Sequence, residues 1–182
     1  MRRKRKPKRP APGNGKRSKL KNVGEKQEQL ASQVLKKFRQ VLKSTKKYFQ
    51  KVDERCGLSG AQLWVLWELG QMPGMRISDL ATSLAIKQPS ATNLVDKLEE
   101  RELIRRERNG SDRRVVRLYL TRRADKLIAR APTPAQGLLP DALSRIPGKT
   151  LRDLDTNLSL LLKVMKPRDQ SAAMMPLSDL LS

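Results

Sequence analysis

The side chains best suited to specific chemistry lie in a polar stretch between residues 88 and 97. Apolar residues recur at positions 91, 94, 95 and 98, which is the spacing of one buried helix face. Four polar side chains are expected on the opposite side: Gln88, Ser90, Asn93 and Lys97. Amide and hydroxyl groups can hydrogen-bond base edges in the major groove of DNA, and a lysine can reach guanine or a phosphate. An ordinary polar helix surface is the alternative that the spacing alone leaves open.

A second polar group follows in a segment whose pattern predicts a β-hairpin. Strands are expected at Ile104–Arg108 and Val115–Leu120, joined by the turn formers Asn109–Asp112, with further arginines along both strands. The residues expected at the tip are Asp112, Arg113 and Arg114. An arginine at a hairpin tip suits the narrow minor groove, where the potential of DNA is most negative. A solvated basic hairpin is the alternative, but two such elements together favour a DNA-binding surface.

The charge of the chain points in the same direction. Lys and Arg number 40 against 18 Asp and Glu, and the net charge of +22 predicts attraction to polyanions such as nucleic acid. Histidine is absent and cysteine occurs once, at Cys56, so His-based acid–base catalysis and a Cys/His metal site are excluded. The sequence therefore predicts a binding protein that is not an enzyme, with no metal and no cofactor.

Apolar runs in the chain are short. The longest span only a few residues, as in Leu160–Leu162, whereas a membrane-spanning helix needs about twenty. The basic N-terminal residues lead into Pro and Gly rather than into an apolar stretch, so no secretory signal is expected. We expect a cytoplasmic protein without a membrane partner, located at the nucleoid when it is bound to DNA.

Composition and periodicity divide the chain into five segments. Residues 1–24 are basic, contain no acid and are interrupted by Pro and Gly, which predicts a disordered tail that either clings to DNA phosphates or is merely solvated. From Glu25 an apolar stripe between Leu30 and Val52 predicts one long helix. The predicted segments are a tail at 1–24, an N-terminal dimerisation helix at 25–57, a DNA-binding domain at 58–121, C-terminal dimerisation helices at 122–166 and a frayed tail at 167–182.

The central segment predicts three short helices followed by the hairpin. Ser59 is expected to cap a helix over Ala61–Leu69, a second helix is expected at Asp79–Leu84, and Gln88 is expected to cap a third that runs to about Arg101. This is the order of a winged helix-turn-helix. After residue 121, a leucine seam from Leu151 to Met165 exceeds what one small domain can cover, which predicts a homodimer.

The stretch LSGAQLWVLWELGQMPGMRISDLATSLAIKQPSATNLVDKLEERELIRRERNGSDRRVVRLYLT, residues 58–121, resembles the MarR family of bacterial regulators. The most specific pieces are the helix with Gln62 and Leu66, the Asp79-Leu80-Ala81 start, Leu98-Glu99, and Asp-x-Arg at the wing followed by Leu-Thr.

The resemblance implies a mainly α fold with a small β-hairpin wing, flanked by dimerisation helices. It implies a homodimer that binds a palindromic operator on double-stranded DNA and regulates transcription, with repression as the expected direction. Base contacts would come first from Ser90 and Asn93 on the recognition helix. The residues supporting them would be Gln88 and Lys97.

The wing departs from the family at one residue. By resemblance, Arg114 would enter the minor groove, and Asp112 would orient it through a salt bridge. Glu102, however, stands where the family usually has Gly after the recognition helix. A left-handed backbone there would cost Glu about 1 kcal/mol relative to Gly. We therefore expect a tilted link between the recognition helix and the wing.

Four aromatic residues come from the two helices that would line the effector cleft of this family: Tyr48, Phe49, Trp64 and Trp67. The resemblance implies that a small phenolic or aromatic carboxylate ligand enters this cleft and releases the DNA. Aromatic faces with a nearby Lys or Arg suit an anionic ring such as salicylate or hydroxynicotinate. Ordinary core packing is the alternative for each of the four.

Two other functions remain open. A non-specific nucleoid-associated protein would explain the charge, although not the polar helix face or the dimer seam. A thiol redox-sensing regulator would use Cys56, which stands beside Arg55. The family members that sense peroxide carry their cysteine near the start of the first helix rather than at its end, so a silent cysteine is the favoured interpretation.

Overall fold

The computed structural model describes residues 14–109, 112–167 and 170–181, and the side chains of residues 24–108, 115–167 and 170–181. The chain is mainly helical with one two-stranded antiparallel hairpin, and the predicted fold class is confirmed. The helices are α1 Asn14–Cys56, α2 Gly60–Gln71, α3 Ile77–Ser83, α4 Gln88–Glu100, α5 Arg122–Ile128, α6 Leu138–Arg145, α7 Gly148–Met165 and α8 Leu177–Leu180. The strands are β1 Ile104–Asn109 and β2 Asp112–Leu120, and a 3-10 turn covers Ser171–Met174. By its internal contacts the chain falls into two units, Met1–Gln40 and Val41–Ser182.

In the first unit, helix α1 begins at Asn14 rather than at the predicted Glu25. The predicted disordered tail 1–24 is therefore wrong for residues 14–24, while residues 1–13 lie outside the described part. The prolines of this region all precede Asn14, and the following stretch is rich in Lys, Arg and Leu, which are good helix formers. Between residues 24 and 40, where the side chains of this unit are described, the apolar ones are exposed, as Leu30 is to 60%.

The core of the second unit forms around α2. This helix is apolar on nearly every side, and such a helix is stable only when it is buried. The last turns of α1 contribute Tyr48, Val52 and Cys56 to the same core. Ser59 caps α2 as predicted: its Oγ accepts from the N–H of Gln62 at 3.2 Å, and its own N–H donates to Gln62 Oε1 at 2.9 Å.

The turn between α3 and α4 depends on Ala85 in a left-handed conformation, with φ of +53°. The N–H of Ala85 donates to the carbonyl of Thr82 at 3.1 Å, and that of Ile86 to Ala81 at 3.0 Å. These two bonds form a Schellman motif, which ends α3 and turns the chain towards α4. Ile86 is buried and anchors the turn in the core.

The hairpin is longer than the sequence predicted. Its strands pair from Ile104 with Leu120 out to Asn109 with Asp112, so the predicted turn Asn109–Asp112 is wrong. Only residues 110–111, which lie outside the described part, separate the two strands. A bridge between Met75 and Leu118 ties β2 to the segment before α3, because the Leu118 N–H donates to the Met75 carbonyl at 3.0 Å.

The joint between α4 and β1 contains the predicted left-handed residue. Glu102 has φ of +58°. The hydroxyl of Thr121 donates to the Glu102 carbonyl at 2.7 Å, and Arg123 lies 3.1 Å from its carboxylate. Thr121 also caps α5, since its Oγ1 accepts from the N–H of Ala124. One threonine thus holds both the joint and the next helix.

The C-terminal part differs from expectation in its last segment. Helix α7 begins at Gly148, two residues before the predicted Thr150, and has no buried residue. Its seam is exposed: Leu151 38%, Leu154 37%, Leu158 36%, Leu161 40% and Met165 63%. The predicted frayed tail at 167–182 is wrong for residues 171–181, because α8 contacts α2 and both Pro176 and Ser178 are buried. This docking depends on tertiary contacts and leaves no periodic pattern in the sequence.

Candidate nucleic-acid interface

Helix α4 presents one buried and one open face, as its spacing predicted. Its buried residues are Ala91, Leu94, Val95 and Leu98, and the helix contacts α2, α3 and β1. On the open side Gln88, Asn93 and Lys97 are exposed, and Ser90 is half-buried. The N-cap residue is Lys87 rather than the predicted Gln88, in an extended conformation and without a side-chain cap bond. Pro89 lies in the first turn, where a missing N–H costs nothing. The four predicted polar residues therefore lie on one surface.

Two grooves border this surface. The groove on one side has a volume of about 260 Å³. Its lining comes from three elements, with Ser90, Asn93, Leu94 and Lys97 on α4, Ser59 and Gln62 at α2, and Pro176 and Asp179 in the C-terminal segment. On the other side an open groove is lined by Gln88, Pro89, Thr92, Asn93 and Asp96. Asn93 lies between the two grooves, so its amide is available from both sides of the helix.

Arg106 ties the hairpin to α4. Its guanidinium bridges two carboxylates of that helix, with Nη1 2.6 Å from Glu99 Oε2 and Nη2 paired with Asp96. The Arg106 side chain is 27% exposed, and its Nε is buried without a hydrogen-bond partner among the described residues. In the sequence, Arg106 is one of several arginines along the predicted strands of the hairpin. The structure gives it a positioning role, which no local pattern reveals.

Two further strand arginines have partners within the domain. Arg105 lies over the ring of Tyr119, 4.9 Å from its centroid, and pairs with Glu107. Arg117 Nη1 donates to the carbonyl of Gly74 at 2.9 Å. Arg108 is exposed near the distal end of β1. Of the predicted wing-tip residues, Asp112, Arg113 and Arg114 begin β2, and their side chains lie outside the described part.

The four predicted effector residues do not share one site. Phe49 and Trp64 line an apolar cavity of about 120 Å³. Tyr48 is buried in the core, and its hydroxyl donates to the carbonyls of Pro132 at 3.1 Å and Pro134 at 2.5 Å. Burial raises the pKa of Tyr48 to about 12. Trp67 packs against the core and is not among the residues that line this cavity. The structure thus brings Phe49 and Trp64 together at this cavity, whereas Tyr48 and Trp67 lie outside it and pack in or against the core.

The charge around the cavity differs from the expected one. None of its lining residues is charged, and its polar groups are Thr45, Gln136 and Ser178. Cationic residues border a separate, open groove of about 470 Å³, where Lys47, Lys51 and Arg55 follow one another at helical spacing beside Tyr48. Aromatic residues meet cations outside the cavity instead: Tyr48 borders this groove, and Phe49 borders a further open groove together with Lys46. The apolar cavity suits an uncharged ring, and the groove with its three cations suits an anion.

Cys56 is buried in the core. Burial raises the pKa of its thiol, and the nearby Arg130 and Arg55 only partly oppose that shift. A redox-sensing cysteine needs a low pKa and solvent access, because the thiolate is the reactive form. The environment of Cys56 therefore disfavours a sensing role.

Among the described residues, no group of three or more His, Cys, Asp and Glu side chains could hold a metal ion. Within the same part of the chain, no helix is both long and apolar enough to cross a bilayer.

Comparison with known proteins gives consistent matches. The sequence model of the MarR family matches residues 58–116. The repressor MdtR of Bacillus subtilis, an HTH-type transcriptional repressor, is 36% identical over 42% of this chain and 54% of its own length. The uncharacterised HTH-type transcriptional regulator YhbI of Bacillus subtilis is 32% identical over 51% of this chain and 60% of its own length. The chain thus spans little more than half the length of these relatives.

One solved structure shares the fold over most of the chain. It is Sco3205, a MarR family transcriptional regulator from Streptomyces coelicolor in complex with DNA, with a TM-score of 0.51 at 20% identity. The match covers 78% of this chain and 89% of that one. At this level of identity the likeness concerns the fold.

Proposed function

We propose that this chain, whose residues 58–116 form a MarR-family winged helix-turn-helix domain, is a sequence-specific DNA-binding regulator of transcription. The observation that carries the proposal is the surface of α4. Gln88, Asn93 and Lys97 are exposed on a helix whose opposite face is buried, so the helix is held rigidly while its polar side remains open. A rigid helix with such a face can enter the major groove and hydrogen-bond base edges.

The proposed contacts divide into base readout and positioning. Ser90 and Asn93 would bond base edges, with Gln88 and Lys97 supporting them at bases or phosphates. Arg106 holds the wing against α4, so the two elements approach DNA as one body. Arg114, oriented by Asp112, would then follow the minor groove beside the site.

We propose that the functional form is a homodimer. The seam of α7 leaves five large apolar side chains more than a third exposed, and the first unit exposes Leu30, Val34 and Phe38. A stripe of exposed apolar side chains along a helix, as each of these two regions carries, usually marks a protein interface. A two-fold dimer would place two copies of α4 on a palindromic operator, with half-sites about one helical turn apart.

We extend the proposal to repression of transcription and to a small aromatic effector. The relative MdtR is a repressor, which supports repression here. The cavity lined by Phe49 and Trp64 would take a phenolic ring, since it is apolar and its lining carries no charge. An aromatic carboxylate such as salicylate would find a cation outside the cavity, at Lys47, Lys51 and Arg55 beside Tyr48 or at Lys46 beside Phe49. We therefore favour an uncharged phenol as the ligand of the apolar cavity.

A footprint on fragments of the protein's own genome tests the function. We expect protection of a short palindrome, and Asn93→Ala should lose about 1–3 kcal/mol of binding free energy and relax the preference at one operator position. Asn157→Ala is the matched control, because Asn157 is exposed on α7 and its amide donates to the Asp153 carbonyl of the same helix at 2.7 Å. Equal binding by wild type and both variants would refute the assignment of readout to α4.

The two alternatives give different results in the same experiment. A non-specific nucleoid protein would bind all fragments alike, with no palindrome protected. A Cys56 redox sensor would lose its footprint after peroxide treatment. Because Cys56 is buried and burial raises the pKa of its thiol, we expect the footprint to persist.

A further inference from the structure

The C-terminal segment, residues 171–181, lies beside the polar face of α4. The main-chain N–H of Lys87, which caps α4, donates to the carbonyl of Met174 at 3.3 Å. Pro176 and Asp179 line the same groove as three residues of the predicted readout: Ser90, Asn93 and Lys97. The segment therefore borders the N-terminal part of α4, which is the part of a recognition helix that contacts base edges.

This segment is anchored rather than loosely attached. Pro176 and Ser178 are buried, and α8 contacts α2. Met175, Pro176 and Leu177 also line the apolar cavity, opposite the ring of Trp64. Pro176 thus belongs to the walls of both the cavity and the α4 groove, and Trp64 reports on the position of the segment.

We infer that the C-terminal segment is an autoinhibitory strap, which competes with DNA for the surface of α4. This inference rests on the proposed function of α4. With the strap in place, Pro176 and Asp179 form one wall of the groove at Ser90 and Asn93, which leaves less width than a DNA backbone needs. The carboxylate of Asp179, which accepts from the Ser178 hydroxyl at 3.0 Å, adds negative charge to this wall. DNA then binds only the chains in which the strap has moved, and the apparent affinity is reduced by the fraction of such chains.

Neutralising Asp179 tests the strap without removing it. Asp179→Asn deletes one negative charge from the groove, and we expect operator binding to tighten about two- to fivefold at low salt, with less effect at high salt. Asp155→Asn is the control, because it makes the same change in net charge at an exposed position of α7 that does not line the groove. Equal affinities for the two variants, or weaker binding by Asp179→Asn, would overturn the inference.

Fluorescence of Trp64 tests the movement itself. Trp67→Phe leaves Trp64 as the single tryptophan of the full-length chain. Titration with operator DNA should shift the Trp64 emission to longer wavelength, because release of Met175–Leu177 admits water to its ring, whereas DNA without the operator should have no such effect. Emission that stays constant at saturating operator means that the strap does not move and the inference is wrong.

The design separates this inference from the proposed function. If the full-length chain protects no palindrome, then the proposed function fails, and the strap fails with it. If the palindrome is protected and Asn93→Ala weakens it, while Asp179→Asn and Asp155→Asn bind alike, then the strap alone is refuted.

Discussion

Replacing Arg106 should weaken both the stability of the domain and its affinity for DNA. Among the described side chains, the Arg106 guanidinium joins the hairpin to α4 through ion pairs with Asp96 and Glu99. Arg106→Met retains most of the aliphatic stem but removes both contacts. The two carboxylates then lie near each other on one helix with no shared cation, and the hairpin loses its anchor to α4.

The expected loss of stability follows from the solvent exposure of Arg106 and its two carboxylate partners. The side chains of Arg106, Asp96 and Glu99 are 27%, 48% and 38% exposed, so solvent screens both pairs. Exposed pairs contribute about 0.2–1 kcal/mol each, and charge-assisted hydrogen bonds somewhat more. We expect Arg106→Met to lower the free energy of unfolding by about 1–2 kcal/mol. Arg106→Lys should lose about half of that, because a lysine cannot bridge two carboxylates with a planar fork.

The assay compares urea unfolding and operator affinity at one fixed protomer concentration, since dimerisation makes stability depend on concentration. Arg145→Met is the control. It removes the same charge from the exposed pair with Asp141 on α6 and should change stability by no more than about 0.5 kcal/mol. Arg106→Met should weaken operator binding well beyond this control, because the wing is no longer aligned with α4. If the two variants unfold at the same urea concentration and bind DNA alike, then the positioning role of Arg106 is refuted.

Three further predictions address the turn, the core and the N-terminal residues. Ala85→Gly should raise the free energy of unfolding by about 0.5–1 kcal/mol, because the relief of left-handed strain exceeds the added entropy of the unfolded chain. Urea unfolding at neutral pH measures this change, and a variant less stable than wild type would contradict the prediction. The pKa of Tyr48 is raised from 10.0 to about 12 in the folded state. The buried, protonated phenol therefore contributes fully to the free energy of unfolding below pH 10, and this contribution is lost as the pH rises to 12. Tyr48→Phe should therefore be less stable than wild type at about pH 9 and approach it at about pH 11, and a gap that stays constant would contradict the assignment. Removing residues 1–13, which carry seven Lys or Arg, should flatten the slope of log affinity against log salt by several units, at about 0.9 per phosphate contact. The protected DNA sequence should stay unchanged, because the base-reading groups lie elsewhere. An unchanged slope would mean that these residues do not contact DNA phosphates.

The features that the sequence predicted well are those set by neighbours along the chain. The Ser59 cap and the buried face of α4 each depend on residues within one or two turns, and the structure has both. The start of α1 was misplaced because the glycines at positions 13, 15 and 24 suggested a break, although Lys, Arg and Leu between them favour a helix.

The features that the sequence could not predict depend on residues far apart. Arg106 appears in the sequence as one of several wing arginines, and only the folded hairpin brings it to Asp96 and Glu99. The packing of residues 171–181 against α2 and α4 has no helical period, since it depends on a buried proline and one main-chain bond to Lys87. Tyr48 was predicted as a ligand contact because the partners of its hydroxyl are the main-chain carbonyls of Pro132 and Pro134. Main-chain partners distant in the chain cannot be identified from residue types.

The position of helix α4 depends on tertiary contacts rather than on the conformational preferences of the residues that flank it. Ala85 precedes it and Glu102 follows it, and both adopt a left-handed backbone that costs a residue with a side chain about 1–2 kcal/mol. Such conformations persist only where the surrounding contacts over-determine them. Here those contacts are the buried Ile86 before the helix, and Arg106 and Thr121 after it. The angle of α4 to the wing is therefore set by a few tertiary contacts, and weakening one of them should change DNA affinity more than it changes the helix itself.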